Sequence, residues 1–396
     1  MSVAVETRIG ESRQPATSSS FPWLFSAPVD LAAFLGSAVV ALCLLSVGAQ
    51  FGLLESSAPD WSWITAVLLV DVAHVWATAF RVYFNPAEMR RRAWLYALTP
   101  LLAFAIGAAL YSEGSEYFWR VLAYLAVFHF VRQQYGWVAM YRAKAGEDRS
   151  GIRKNSDASL EEPAEFSRVP LRWGRWIDTA AIYLATLYPL IYWHAHLPRK
   201  FWWFLKGDFA GIPVIVEQVV APCYWMALGA YAGRSLYRGL KLGRWNPGKD
   251  IVLITTAVCW HVGIITFNSD YAFMVTNVII HGVPYIVLIY WFHVRHVADA
   301  AGVGSEAGSF RPVAGTARRV FLFLATLWLL AFVEELFWHR GHWHTREWLF
   351  GSGWDIDGLK SFLVPLLAVP QITHYVLDGF IWRRRSNPDL DRQKDW

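Results

Sequence analysis

Apolar runs long enough to cross a bilayer recur along this chain from residue 27 to residue 383. A transmembrane helix needs about 20 apolar residues, because each residue adds 1.5 Å of rise. Runs of this length predict an all-α fold, a polytopic transmembrane helix bundle. We expect about ten spans, at residues 27–54, 61–84, 92–112, 116–142, 172–194, 211–238, 249–267, 270–297, 317–340 and 359–383.

Composition and the chain ends agree with a membrane bundle. Of 396 residues, 55% are hydrophobic and 17% are charged, against roughly 25% charged in soluble domains. Residues 1–26 are polar and Ser-rich and lack the apolar core of a signal peptide, so we expect a polar tail followed by an uncleaved first span. The bundle should cover residues 27–383, and residues 384–396 form a charged tail. The three cysteines show no CxxC spacing, which argues against a disulfide framework and against covalent haem.

The basic residues are concentrated in alternate connections between the predicted spans. Connections at 55–60 and 113–116 carry no Lys or Arg. Basic connections stay on the cytoplasmic side, so we predict an integral protein of the bacterial inner membrane with both termini cytoplasmic. The pI of about 9.0 then reflects topology rather than nucleic-acid binding. The basic connections are residues 90–92, the long polar loop 144–170, residues 234–249 and residues 295–319, and the tail is basic as well.

Histidines lie deep inside five of the predicted spans. A polar imidazole in hydrocarbon costs free energy unless it has a partner, so such residues normally face a bundle interior. The span at 270–297 is the clearest case, because His281 stands beside a Gly-Val-Pro break at residues 282–284. Counted from the span ends, each of the five lies near the bilayer midplane, where they could converge on one point. These residues are His74, His129, His261, His281 and His374.

Two carboxylates accompany the deep histidines. Asp71 precedes His74 by three residues and Asp378 follows His374 by four, so each pair shares a helix face. A carboxylate on the outer nitrogen of a metal-bound imidazole fixes its tautomer, and the carboxylates could also ligate directly. We therefore predict a metal site, with iron the first choice and zinc the second. For any single histidine, a hydrogen bond to a neighbouring helix is the competing interpretation.

Arg132 and Gln133 lie on the same helix face as His129. A guanidinium near the bilayer midplane is expensive without a partner. We expect Arg132 to pair with Asp71, with Asp378 or with an anionic group on a ligand. Both residues are therefore candidates for anchoring a substrate.

The remaining histidines lie at predicted span ends. His293 and His296 form an HxxH pair, and His194 and His196 stand in an aromatic interfacial belt. Residues 339–344 form an HxxHxH run that could bind a metal, although such runs are more often exposed interfacial clusters.

Histidines placed singly on many transmembrane helices resemble the pattern of integral-membrane non-haem iron oxygenases. The pattern of His74, His129, His261, His281 and His374 looks most similar to bacterial membrane carotene-cleaving proteins of the Brp/Blh type, which use scattered histidines rather than paired boxes. This resemblance implies an iron-dependent enzyme. Fatty-acid desaturases and hydroxylases carry HxxxH and HxxHH boxes, whereas this chain has one HxxH fragment and no HH pair.

The function expected from these features is a membrane-embedded, metal-dependent oxidoreductase, similar to an oxygenase, desaturase or hydroxylase. Its substrate would be a lipid or isoprenoid dissolved in the bilayer, and its metal would activate dioxygen or polarise a substrate oxygen. A partner protein could supply electrons. Two other classes remain open: a haem- or quinone-binding electron-transfer protein, and a proton-coupled transporter that uses the deep His and Asp residues as a relay.

Cysteine labelling tests the topology. In a background without the native cysteines, a cysteine placed within residues 144–170 should react with a membrane-impermeant maleimide only after the cells are opened. A control cysteine within residues 55–60 should react in intact cells. Labelling of the 144–170 loop from outside would overturn the orientation.

Overall fold

The computed structural model describes residues 21–147, 171–200, 209–300, 313–383 and 387, and these parts of the chain are helical with no strand. Each of the ten predicted spans coincides with a helix. Two helices extend beyond the bounds given for them below: helical turns continue the ninth helix to Ala300 and begin the tenth at Val313. A 3₁₀ turn covers Asp357–Leu359. The helices are α1 (Ala27–Gln50), α2 (Asp60–Arg81), α3 (Pro86–Arg91), α4 (Ala93–Glu113), α5 (Ser115–Lys144), α6 (Leu171–Ala195), α7 (Val214–Leu242), α8 (Pro247–Thr266), α9 (Asp270–Phe292), α10 (Ala317–Trp343), α11 (Glu347–Phe350) and α12 (Lys360–Ile381).

Eight of the ten long helices are long and apolar enough to cross a membrane, so the chain is an integral membrane protein. The two that fall short are α5 and α6. Polar side chains such as Arg120, Arg132 and Gln133 lower the mean hydropathy of α5. Both helices nevertheless pack within the bundle, α5 against α4 and α8, and α6 against α7 and α8. A count of ten spans and the cytoplasmic placement of both termini remain predictions, and most of loop 144–170 lies outside the described residues.

The centre of the bundle is formed by α9 and α2. In their most apolar stretches, 72% and 61% of the residues are buried, whereas only 22% and 11% are buried in α4 and α7 at the periphery. These two central helices carry His281 and His74. Their side chains share one core cluster with residues of α1 and α10, such as Leu45 and Leu327. The two innermost helices therefore place two of the deep histidines in the interior.

Stretches of π-helix come directly before these two histidines. Trp63–Val72 is π-helical in α2, and Met274–Val278 is π-helical in α9. A π turn adds a residue to each turn and is found frequently near functional sites. The direction in which His74 and His281 point around their helix axes is therefore set by irregular turns, and a regular period of 3.6 residues does not predict it.

A buried ion cluster joins the adjacent ends of α5, α6, α7 and α8. Its two carboxylates are Glu147, just beyond α5, and Asp178 of α6, and both are buried. Lys249 Nζ lies 2.9 Å from each of them. Arg234 lies 2.7 Å from Asp178 and 3.5 Å from Glu147, and Arg238 lies 2.6 Å from Glu147. Burial alone would raise the pKa of Glu147, but Lys249 and Arg238 lower it to about 2. Removing one member of such a cluster leaves an uncompensated buried charge, which is strongly destabilising.

This cluster predicts acid sensitivity. Because the pKa of Glu147 falls from 4.5 to about 2 on folding, its stabilisation is complete above pH 4.5 and disappears as the pH falls toward 2. The shift corresponds to a contribution on the order of 3 kcal/mol. Thermal unfolding in detergent should show wild-type protein more stable than Glu147→Gln at pH 6, with the difference shrinking below pH 4.5. Exposed Glu55 supplies the control, since Glu55→Gln should track wild type, and a wild-type advantage that stays constant to pH 2.5 would contradict the assignment.

Candidate metal centre

Four of the five deep histidines meet in the bundle interior. His74 of α2, His129 of α5, His281 of α9 and His374 of α12 are each at most 3% exposed. Ring centroids are 4.6 Å apart for His129 and His374 and 4.7 Å apart for His74 and His281. The nitrogens of His74, His129 and His374 lie within 4.8 Å of one another, so these three residues could hold a metal ion.

The Nε2 atoms of the four rings face one another. His74 Nε2 lies 3.1 Å from His281 Nε2, and His129 Nε2 lies 3.1 Å from His374 Nε2. Two nitrogens bound to one metal at about 2.0–2.1 Å lie roughly 2.9–3.4 Å apart when the angle between the bonds is about 90–109°. The His129–His374 contact, between two of the three residues that could hold an ion, is therefore of the length expected between ligands. Without an ion, both 3.1 Å contacts have the length of a hydrogen bond between two imidazoles.

The outward Nδ1 atoms of three rings face oxygen atoms. His74 Nδ1 is 3.5 Å from the Asp71 carboxylate, and His129 Nδ1 is 3.8 Å from that of Asp378. His374 Nδ1 is hydrogen-bonded to the Thr78 hydroxyl at 2.7 Å. Only the contact of His374 is a hydrogen bond, since the other two separations are longer than one. In a metal-bound imidazole the outer N–H usually donates to such an oxygen, so Asp71 and Asp378 stand on the side where that partner would be.

His281 differs from the other three because no described carboxylate or hydroxyl oxygen faces its Nδ1. Like His74 Nδ1, this atom has no hydrogen-bond partner among the described residues, and the ring of His281 stacks on Phe130 at a centroid distance of 3.7 Å. The backbone carbonyl of His281 accepts a hydrogen bond from Gln133 Nε2 at 2.8 Å. Gln133 thus secures the helix next to the break at Pro284, while the imidazole is held by packing.

Two expectations about partners are corrected. Asp378 was expected to serve His374 on its own helix, but it faces His129 of α5, because the Nδ1 of His374 is taken by Thr78. Arg132 is exposed, contacts the Tyr183 hydroxyl and lies 5.1 Å over the ring of Tyr135. Within the described residues it makes no ion pair with Asp71 or Asp378. Of the three partners that we expected for Arg132, the anionic group on a ligand is the one that remains.

His261 does not join the cluster. It is half-buried in α8, its Nδ1 is 3.5 Å from the Tyr224 hydroxyl, and its ring lies beside Trp225. Its neighbours Cys259 and Trp260 occupy the interior face at this level, which turns His261 toward α7. The expectation of five converging histidines is corrected to four, because depth in the bilayer does not fix direction around the helix axis.

Sequence reasoning missed part of the polar layer that supports the cluster. One helical turn after each histidine stands a polar residue at i+4. The Thr78 hydroxyl is 2.9 Å from the Tyr285 hydroxyl, and Trp382 donates to Asp378 at 2.8 Å. The i+4 spacing was the signal that could have revealed this layer, since residues four apart share a helix face. Its members are Thr78, Gln133, Tyr285 and Asp378.

The span-end histidines do not form a ligand group in the described part of the chain. His339 lies between Glu335, at 3.4 Å, and the Thr345 hydroxyl, at 2.7 Å, while His342 stacks on Trp119. His194 is hydrogen-bonded to the Tyr124 hydroxyl, and His196 to a backbone carbonyl. The side chains of His293 and His296 lie outside the described residues.

Two cavities flank the cluster. The first, about 830 Å³, reaches it at Asp71, Phe130 and Tyr375 and is lined mainly by aromatic and aliphatic side chains. The second, about 960 Å³, includes His129 and Asp378 in its wall. Apolar pockets with a few polar groups at one end are typical of sites for small apolar ligands. The second cavity thus touches the cluster at His129, and the first ends at residues that flank it.

A close approach of α2 and α9 brings His74 and His281 together. A Cβ atom at Gly282 would lie 2.6 Å from Val70 Cγ1 and 3.1 Å from the Val70 carbonyl oxygen. Only glycine fits at this distance, because real Cβ contacts are longer and a backbone atom cannot yield easily. Gly282 therefore determines how closely the two histidines stand.

Comparison of the chain with protein-family models, with curated proteins and with solved structures gives no match. The resemblance to carotene-cleaving membrane proteins rests on the placement of the histidines alone.

Gly282→Ala should loosen the cluster. The added methyl group must push α9 away from Val70, so we expect a lower thermal unfolding temperature, by several degrees, and weaker metal retention in purified protein. Gly229→Ala is the matched control, because a Cβ at Gly229 meets nothing within 4 Å. Equal stability and equal metal content in the two variants would show that the close approach is not needed.

Proposed function

We propose that this protein is a membrane-embedded, metal-dependent oxidoreductase that acts on a lipid or isoprenoid. The observation that carries the proposal is the arrangement of four buried imidazoles from four helices, with Nε2 atoms directed inward and an oxygen atom on the Nδ1 side of three rings. A group of this kind has a high cost in an apolar bundle, and that cost is offset when the nitrogens ligate a cation.

Iron is the metal that we assign first. An all-imidazole inner set suits iron, zinc or copper, and a closed tetrahedral set would indicate structural zinc. Here three histidines lie close enough to hold one ion, and the second cavity reaches His129, which leaves room for an exchangeable position. When bound, the metal would supply redox chemistry with dioxygen or polarise a substrate oxygen.

The residues around the metal have distinct tasks in this proposal. His74, His129 and His374 ligate. Asp71 and Asp378 accept the outward N–H groups of the first two and balance cationic charge, and Thr78 orients the third. The cavity walls exclude water, which strengthens electrostatic interactions inside and matches an apolar substrate.

The geometry disfavours a haem held between these histidines. Two axial nitrogens on one haem iron lie on opposite faces of the macrocycle. In this protein the imidazole rings touch one another, with centroids as close as 4.6 Å, so no macrocycle fits between them. A proton relay through His74 and Asp71 is compatible with the same contacts, and metal depletion separates it from the oxidoreductase.

Metal analysis of detergent-purified protein tests the proposal. We expect about one equivalent of iron in wild type and a large loss in His129→Ala and His374→Ala, because each removes one of three ligands. Asp378→Asn should lower metal affinity by about 10–100-fold, as is usual for such outer partners. His342→Ala is the matched control, since its ring lies on Trp119 away from the cluster, and it should retain metal.

Two outcomes would contradict the proposal. Metal well below one equivalent that is unchanged by the His129 and His374 substitutions would show that the cluster is not a metal site. Proton-coupled flux in proteoliposomes that survives complete metal depletion and is lost in His74→Ala would assign the cluster to a transporter instead.

A further inference from the structure

Arg132 is the one charged residue on an exposed stripe of α5. The stripe consists of residues spaced three or four apart, which share a helix face. Its other members are apolar or aromatic: Val121, Tyr124 and Phe128. In a membrane bundle an exposed stripe of this composition faces lipid. Arg132 therefore presents a guanidinium toward the bilayer one helical turn beyond His129.

The contacts of this guanidinium leave donors to spare. Arginine has five N–H donors, and in the described residues Arg132 contacts the Tyr183 hydroxyl and the ring of Tyr135. No described carboxylate lies within ion-pair distance of it. The end of α5 at Lys144 is twelve residues further on, about 18 Å at helical rise, so within the predicted span at 116–142 Arg132 lies well inside the bilayer. A guanidinium at such a depth is costly unless it is paired, and an anion is the partner that neutralises it.

The second cavity connects Arg132 to the histidine cluster. Its wall includes the exposed side chains of Phe128, Arg132 and Leu187 and also the buried side chains of His129 and Gln133. A cavity whose wall passes from exposed to buried residues opens on the surface, here between α5 and α6 on the lipid-facing side. A lipid can enter by this route without leaving the bilayer.

We propose that Arg132 binds the carboxylate of a single-chain lipid whose apolar part occupies this cavity. The inference rests on the proposed function and names its substrate class as a lipid carboxylate. One guanidinium neutralises one carboxylate and can bind both of its oxygens in the bidentate geometry. A phosphate monoester would carry about −1.5 to −2 charges. The other charged residues in the described wall of this cavity are Asp378 and Arg383, whose charges cancel, so a single negative charge balances Arg132.

Equilibrium binding of oleate and of oleyl alcohol to the detergent-purified protein tests the inference. The two chains are identical, and only the carboxylate can pair with Arg132. A hydrogen bond to a charged group is worth about 1.5–3 kcal/mol, so wild type should prefer oleate at pH 8 by about 10–100-fold. Arg132→Gln should reduce the preference to less than about 3-fold, and Arg132→Lys should retain part of it.

Arg175→Gln supplies the control. Arg175 is an exposed arginine of α6 outside the walls of both cavities, so its loss should leave the oleate preference unchanged. Equal binding of oleate and oleyl alcohol by wild type, or an unchanged preference in Arg132→Gln, overturns the inference. Oleyl phosphate identifies the anion: weaker binding than oleate supports the carboxylate, and tighter binding overturns that assignment.

Metal content measured on the same samples separates this inference from the proposed function. An oleate preference that depends on Arg132 in protein without metal supports the lipid site and contradicts the oxidoreductase. A full equivalent of metal with no oleate preference contradicts the lipid site alone. Thermal unfolding of Arg132→Gln and Arg132→Lys shows whether each variant is folded, and Arg132→Lys keeps the test decisive where the glutamine variant is unstable.

Discussion

The contact among four buried imidazoles is the constraint on which the arrangement of the central helices depends. In hydrocarbon each ring nitrogen needs a partner, because water is not there to supply one. His74, His129, His281 and His374 meet this need by facing one another, with oxygen atoms behind three of them. Helices α2, α5, α9 and α12 must therefore stand within side-chain reach at one level. The small residue at Gly282 is what makes this possible where α2 and α9 cross.

The same bundle places its charges according to their surroundings. At one end, Glu147 and Asp178 are surrounded by four basic side chains, so each buried carboxylate has several cations beside it. In the interior, Asp71 and Asp378 have no Lys or Arg within ion-pair distance among the described residues and face histidines instead. A metal ion in the cluster would supply the positive charge that these two carboxylates lack. The carboxylates of the ion cluster thus have their cations within the described chain, whereas those of the histidine cluster would gain from one.

The length of the apolar runs and the depth of the histidines predict much of this arrangement. They do not predict in which direction a side chain points around its helix axis. The ten helices follow from run length, as the agreement of the predicted 270–297 span with α9 shows. Depth alone placed His281 and His261 at one level, but only His281 faces the interior. Depth gives a position along the helix axis and says nothing about the direction around it. The π-helical stretches before His74 and His281 also rotate these side chains away from the direction that a regular period would give. The partner of Asp378 was missed for a related reason, since a neighbouring helix offered a closer histidine than its own.

The groups behind the four rings separate three histidines from the fourth. Carboxylate oxygens face the Nδ1 atoms of His74 and His129, and the Thr78 hydroxyl is hydrogen-bonded to that of His374. A proton on each of these Nδ1 atoms would leave a lone pair on Nε2, the state in which an imidazole can bind a metal. No described carboxylate or hydroxyl faces His281 Nδ1, and the three nitrogens close enough to hold one ion belong to the other three rings. Under the proposed function these three would ligate the metal and His281 would stand beside an open position, which is what a catalytic metal site requires.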